Sequence, residues 1–389
     1  MASYISSNAN RFYTALESAY GSVAAVTASN RIPALKLKVQ QQPEVTSRKD
    51  KTGCRTFPGL PSGGRRNTSF ELQTYMTSCQ STAGGPAYGP LFQAALGAAP
   101  LLFNGGVVGT YSNTMIAFAA PHGLNVNQAV SSGGEIRFVT AVVDANTVQI
   151  NAPFTTAPAS GTTIGAAVTY QPATELPSAS LFDYWDPSGA VQRILTGAAV
   201  NQMEIQINGD FHQFQFSGLA QDVLDSASFT AGQGCLTSYP VEPETGAFDY
   251  SIVPGNLGEA WLGTTPAQFF TVTEAAVVLK NGLDMRSREF GFSLPQAISP
   301  GQRTVQASIG LYSQTDGITP ALYQAARQQT PISVMFQLGQ MQGQVMGVYL
   351  QSVIPQVPQF DDSANRLQWV FKPSRAQGTV DNEIAIAFG

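Results

Sequence analysis

Met203-Glu-Ile-Gln-Ile-Asn208 alternates apolar and polar residues, and Phe211-His-Gln-Phe-Gln-Phe216 does the same after a turn at Asn208-Gly209-Asp210. Asn-Gly accepts the positive φ values of a tight primed turn, so the two runs read as an antiparallel hairpin. Phe211, Phe214 and Phe216 take strand-core spacing, and His212 is expected to point outward. The same period of two marks 35–39, 69–75, 270–279, 305–312, 332–338, 344–353, 367–371 and 383–388. Helical signals are few. Pro90-Leu-Phe-Gln-Ala-Ala-Leu96 and Pro320-Ala-Leu-Tyr-Gln-Ala-Ala-Arg327 each carry a Pro where a first helical turn tolerates one. The chain is therefore expected to be mainly β.

Composition narrows the class further. Only 12% of the 389 residues are charged, about half the usual ~25%, while 43% are apolar. A disordered chain needs the opposite balance. The surface must come from Gln, Asn, Ser, Thr and Gly, which suits surface covered by further copies. Charge is uneven. Residues 1–66 hold ten of the 20 basic residues and only Glu17, Glu44 and Asp50, and the rest of the chain is acidic. A globally basic nucleic-acid binder is not expected. Cys54, Cys79 and Cys235 form no C-x-x-C pair, so neither a disulfide framework nor a zinc site is expected. The first thirty residues show no basic run leading into an apolar one, so no secretory signal is expected. The most apolar stretch, 94–108, is broken by Gly97, Pro100, Asn104 and Gly105 and is too short to span a bilayer.

Catalytic and cofactor patterns do not emerge. His122 and His212 lack a second ligand at metal spacing. No G-x-S-x-G elbow occurs. Thr82-Ala-Gly-Gly-Pro-Ala-Tyr-Gly89 lacks the Lys-Ser/Thr of a phosphate loop. Asp183 with Asp186, and Asp361 with Asp362, sit in turn contexts. No enzyme activity, cofactor or metal is expected.

The two helical segments are nearly one sequence. Leu91-Phe-Gln-Ala-Ala95 matches Leu322-Tyr-Gln-Ala-Ala326. Upstream, Gly64, Arg66, Leu72 and Tyr75 align with Gly301, Arg303, Ile309 and Tyr312. Further upstream, Glu17 and Tyr20-Gly21-Ser22 align with Glu259 and Leu262-Gly263-Thr264. Matches in one order with slowly drifting offsets predict a tandem duplication. The expected units are 1–230, interrupted by a small β module over 104–170, a linker at 231–254, and 255–389.

With these motifs in view, the chain resembles the major tail tube proteins of long-tailed phages. The resemblance rests on the helix pair, the Glu17…Tyr20-Gly21-Ser22 and Gly64-Arg65-Arg66…Leu72…Tyr75 segments, and Leu195-Thr-Gly-Ala-Ala-Val200 leading to Phe216-Ser-Gly218. It implies two tandem antiparallel β-barrel or sandwich domains, each with one short helix and a long hairpin arm. It implies a virion protein assembled in the host cytoplasm. Duplicated subunits would form homotrimeric, pseudo-sixfold rings that stack into a tail tube. DNA would pass through the lumen without sequence-specific binding during ejection, with no membrane insertion. Tape measure, tail terminator and tail tip proteins would be its other partners. Placing the extra module inside the first unit departs from the family pattern. Two other readings remain open: a tail-tip or baseplate hub, and a carbohydrate-binding tail-fibre protein. The arm over 40–63 is basic, and Arg48, Lys49, Lys51, Arg55, Arg65 and Arg66 are the candidate inter-ring contacts. Exposed pairs contribute only about 0–1 kcal/mol each, so the arm is expected to set register more than stability. The module is expected to project outward and to be dispensable for stacking.

Overall fold

The computed structural model describes residues 4–44, 51, 53–56, 59, 64–79, 85–244, 248 and 251–389. Strand takes 46% of the described residues and helix 7%, so the fold is mainly antiparallel β. The first half contains β1 (Asn10–Leu16), β2 (Ala34–Pro43), β3 (Arg66–Tyr75), α1 (Gly89–Leu96), β4 (Leu101–Phe103), β5 (Ala167–Tyr170), β6 (Ala179–Trp185), β7 (Arg193–Ile207), β8 (Gln213–Ala220) and β9 (Asp222–Asp225). The second contains β10 (Gly258–Gly263), β11 (Val272–Lys280), β12 (Thr304–Tyr312), α2 (Ile318–Gln328), β13 (Ile332–Leu338), β14 (Met346–Val353), β15 (Gln359–Asp361), β16 (Gln368–Gln377) and β17 (Ala385–Phe388).

The pairing order of the first half recurs in the second. β1 pairs with β6, β6 with β7 and β7 with β9; β10 pairs with β13, β13 with β14 and β14 with β17. β2 pairs with β3 and β3 with β8; β11 pairs with β12 and β12 with β16. Irregularities recur too. The β2–β3 ladder slips between Ala34 and Lys36, and β11–β12 slips at the equivalent Val272 and Glu274. The β6–β7 slip at Ala179 and Leu181 returns in β13–β14 at Ile332 and Val334. A bulge re-aims a strand and is a built feature of a fold. Even an ion pair is repeated. Arg66 lies 3.8 Å from Asp222 where β3 meets β9, and Arg303 binds Glu383 where β12 meets the start of β17.

One difference has a visible cause. β7 is a single long strand shared by two sheets, but its counterpart is split into β14 and β15. Pro355 and Pro358 fall in the gap, and proline cannot donate to a ladder.

The ladders correct one equivalence expected from sequence. Thr14 stands opposite Leu181, and Leu262 stands opposite the equivalent Val334. Thr14 therefore matches Leu262, and Glu17 does not match Glu259. Glu17 lies beyond the end of β1, where its carboxylate accepts bonds from Ser178, Ser180 and the Gly21 and Gly197 amides. Glu259 lies inside β10. Tyr20-Gly21-Ser22 lies in the turn beyond β1, whereas Leu262 and Gly263 are the last residues of β10, so the two matched motifs are not equivalent.

The two halves share one core. Phe12, Leu72, Phe92, Ile205, Val277, Ile309, Val334 and Phe388 belong to the same buried cluster. The segment expected as a linker is docked on the first half. Leu236 and Tyr239 pack against Tyr13, Phe182 and Tyr184, and Glu242 accepts bonds from Arg11 and Tyr13. Burial, and then that bond from Tyr13 to Glu242, push the Tyr13 phenol up to about 12.

The inserted module is a separate antiparallel sheet spanning Gly106–Ser112 to Thr163–Ile164. Its stalk strands β4 and β5 pair with each other, and β5 continues onto β17 of the second half. The module is therefore not a free projection. Ile136 and Phe138 pack with Trp261, Met335 and Tyr349 of the second half. Phe138 stacks on Tyr349 at 5.3 Å. Gly347 permits this approach, because a Cβ there would lie 2.7 Å from the Phe138 ring.

Candidate assembly surface

β7 belongs to the first half and β11 to the second, and they pair directly. Ile205 stands opposite Val277, with Glu204 opposite Val278 and Gln206 opposite Ala276. The result is one continuous sheet in the order β2-β3-β8-β7-β11-β12-β16-β15. One face lies on the core. The other is uncovered and polar, with Gln73, Gln206, Gln213, Gln215, Gln306 and Gln368 alternating outward. Charge on it is nearly balanced: Lys36, Lys38, Lys280, Lys372 and Arg375 stand against Glu71, Glu204, Glu274 and Asp361.

The ends of this sheet are β2 and β15. Among the described residues, nothing pairs with the outer edge of either. β2 is long and carries Lys36 and Lys38, both on Glu71, at 3.2 and 3.7 Å. β15 is exposed at every residue. An open edge is a template for another strand.

The arm expected between β2 and β3 begins and ends as a hairpin, with Pro43 opposite Arg66 and the Glu44 amide bonded to the Arg65 carbonyl at 2.7 Å. Arg48 and Lys49 lie outside the described residues. Lys51 and Arg55 are exposed and Arg65 is half-buried. Arg66 is half-exposed at the start of β3, held near Asp222 within the chain. A second arm, 281–303, occupies the same place between β11 and β12. The sequence reading missed it, although its length and its Arg286, Arg288, Phe290 and Phe292 were visible. The arms touch: Arg288 pairs with Glu44 at 3.2 Å, and the Arg66 amide bonds to Ser293. Phe290 is fully exposed.

No protein-family model matches this chain, and no curated protein matches it.

Among the described residues, no group of three His, Cys, Asp or Glu side chains is placed to hold a metal. No described helix is long and apolar enough to cross a membrane. His122 is a turn residue: it accepts from the Leu124 amide at Nδ1 and so donates from Nε2 to the Asp144 carbonyl. Asp361 accepts from the Ser363 amide. Asp183 is buried on Arg193.

His212 contradicts the outward reading. It is buried where the two halves meet, and its Nε2–H donates to the Leu257 carbonyl at 2.9 Å. Phe211 is the exposed residue, edge-on to Tyr75. His212 keeps the phase of Phe214 and Phe216, two residues apart along the chain, and so faces the core, whereas Phe211 falls out of that phase. Burial holds the His212 pKa below its ordinary value, against the smaller upward pull of the Leu257 carbonyl. The unfolded chain therefore takes up a proton first. His212 contributes stability that is present above about pH 6.5 and lost as pH falls through its folded pKa. Stability should fall by up to about 1.4 kcal/mol per pH unit in that window. Urea titrations at pH 5 and 8 should show a smaller difference for His212→Gln than for the wild type.

Proposed function

We propose that this protein is a self-assembling structural subunit, and that its assembly is the stacked, trimeric ring of a phage tail tube. The observation that carries the reading is the β7–β11 junction. Two equivalent units already merge their sheets edge to edge within one chain, and the outer edges, β2 and β15, are of the kinds joined there. Copies that repeat the junction extend the sheet, and a constant rotation between units closes a ring. Closure removes both open edges.

The trimer and the tail follow from the family resemblance, with three duplicated chains giving six units. The uncovered Gln-rich face of the sheet would line the lumen. Its charges nearly balance, so this reading has a nearly neutral lumen. Such a surface offers phosphates no strong attraction and lets DNA slide. The two adjoining arms, with exposed Phe290 and Arg286, would contact the next ring.

Sedimentation velocity and negative-stain imaging across a concentration series test the reading. Trimers and filaments of uniform width are the expected result. A compact monomer at every concentration overturns it. Closed rings that never stack favour a tail-tip hub instead.

A further inference from the structure

The internal junction fixes a register for the external one. We infer that β15 of one chain pairs antiparallel with β2 of the next, with Asp361 opposite Lys38, Phe360 opposite Val39 and Gln359 opposite Gln40. This inference rests on the self-assembly reading and adds to it the contact itself.

The register comes from the ladders. Leu72 and Ile309 are equivalent, and Phe216 and Phe371 stand opposite them. One strand further out, Glu204, Ile205 and Gln206 occupy the places of Gln359, Phe360 and Asp361. On the other side, Phe70 and Ala307 stand opposite Val39 and Val277. Val278 and Ala276 therefore correspond to Gln40 and Lys38. Carrying the Ile205–Val277 pairing onto these positions gives the stated register.

Two chemical facts, neither used to derive it, agree with it. The first is charge. Lys36 and Lys38 share the single carboxylate of Glu71, which leaves one positive charge in excess on the β2 edge. The register brings Asp361 to that edge. The second is the core face. Ile205 and Val277 are fully buried at the internal junction. Phe360 occupies the place of Ile205 and stacks on Trp369 at 5.2 Å, yet it is 56% exposed. Val39, already packed at the margin of the core, would cover it. A one-residue slip would turn Phe360 to the polar face and set Lys38 against an apolar ring.

The test is zero-length carbodiimide coupling, which joins a carboxylate directly to an amine, on assemblies made from mixed unlabelled and nitrogen-15-labelled chains. The expected product is a Lys38–Asp361 linked peptide with one labelled and one unlabelled half. In parallel, Lys38→Glu should raise the concentration needed for half-assembly by up to about fivefold per contact, because like charges then face each other. Adding Asp361→Lys should restore it. Lys36→Glu, which also disturbs Glu71 but faces a different position, should not be rescued by Asp361→Lys. Circular dichroism confirms that each variant is folded. Chains that assemble without this linkage and without the charge rescue overturn the register and leave the self-assembly reading standing. Chains that never assemble overturn both.

Discussion

Arg137→Ala is expected to destabilise the protein by about 3–5 kcal/mol, because it leaves two largely buried carboxylates, Glu135 and Glu259, without their cation. Arg137 is a fully buried arginine in the inserted module. All five of its N–H groups have acceptors. Nε donates to the Pro153 carbonyl at 2.9 Å, and Nη1 donates to the Ile136 carbonyl at 2.8 Å and to Gln337 at 3.2 Å. Nη2 bonds Glu135 and also Glu259, the latter at 3.0 Å. The guanidinium also lies 5.1 Å from the Trp261 ring. Gln337, Glu259 and Trp261 belong to the second half of the chain, so the network fastens the module to it. Burial lowers the Arg137 pKa, while Glu259 and Glu135 pull it back up. Urea unfolding followed by Trp fluorescence measures the loss. Adding Glu135→Gln and Glu259→Gln to the variant should recover part of it, since neutral amides tolerate burial better than unpaired charges. A loss below about 1 kcal/mol would refute the network's role. The same contacts imply that excising the module exposes Trp261, Met335 and Tyr349, so the expectation that it is dispensable needs those residues replaced as well.

The parts of the fold legible in sequence were those set by local chemistry. The hairpin around Asn208-Gly209 is present, with Asn208 at φ 64°, but its ladder closes at Gln206 and Gln213, a wider connection than the tight primed turn expected. The strands over 69–75, 305–312 and 332–338 and both helices stand where alternation and proline placed them. The repeat was legible through its helices, because Leu322-Tyr-Gln-Ala-Ala326 retains nearly every residue of its partner. What stayed hidden depends on which strands meet. Glu259 and Arg137 are distant in sequence, and only the docking of the module makes them partners. A charged residue between Ile136 and Phe138 in an apolar run was the available sign that a buried cation needed acceptors. Lys38 and Asp361 likewise acquire meaning only once the ladders are counted. The Glu17–Glu259 match failed for the same reason, since motif similarity cannot see register.

Phe92→Ala is expected to cost about 3–5 kcal/mol, the loss of a large aromatic side chain from a packed core. Helix α1 is apolar on nearly every side, as a helix enclosed by protein must be. Phe92 is its fully buried centre, edge-on to Phe214 at 5.2 Å, to Phe216 at 5.3 Å and to Phe388 at 5.3 Å, and 6.0 Å from Tyr170. Phe214 and Phe216 are in β8 of the first half, Tyr170 in the module stalk and Phe388 in β17 of the second half. One ring thus fills space between all three parts, and the cavity it leaves cannot close without moving strands from each. The repeat supplies an internal control. Tyr323 is the equivalent residue in α2, and it packs on Trp369 as Phe92 packs on Phe214. It is only half-buried on an amphipathic helix, so Tyr323→Ala should cost clearly less. Hydrogen exchange should show Phe92→Ala lowering protection in β8 and β17 together, whereas Tyr323→Ala should loosen mainly α2 and β16. Equal losses from the two variants, or an effect of Phe92→Ala confined to the first half, would show that the halves do not share a core through this ring.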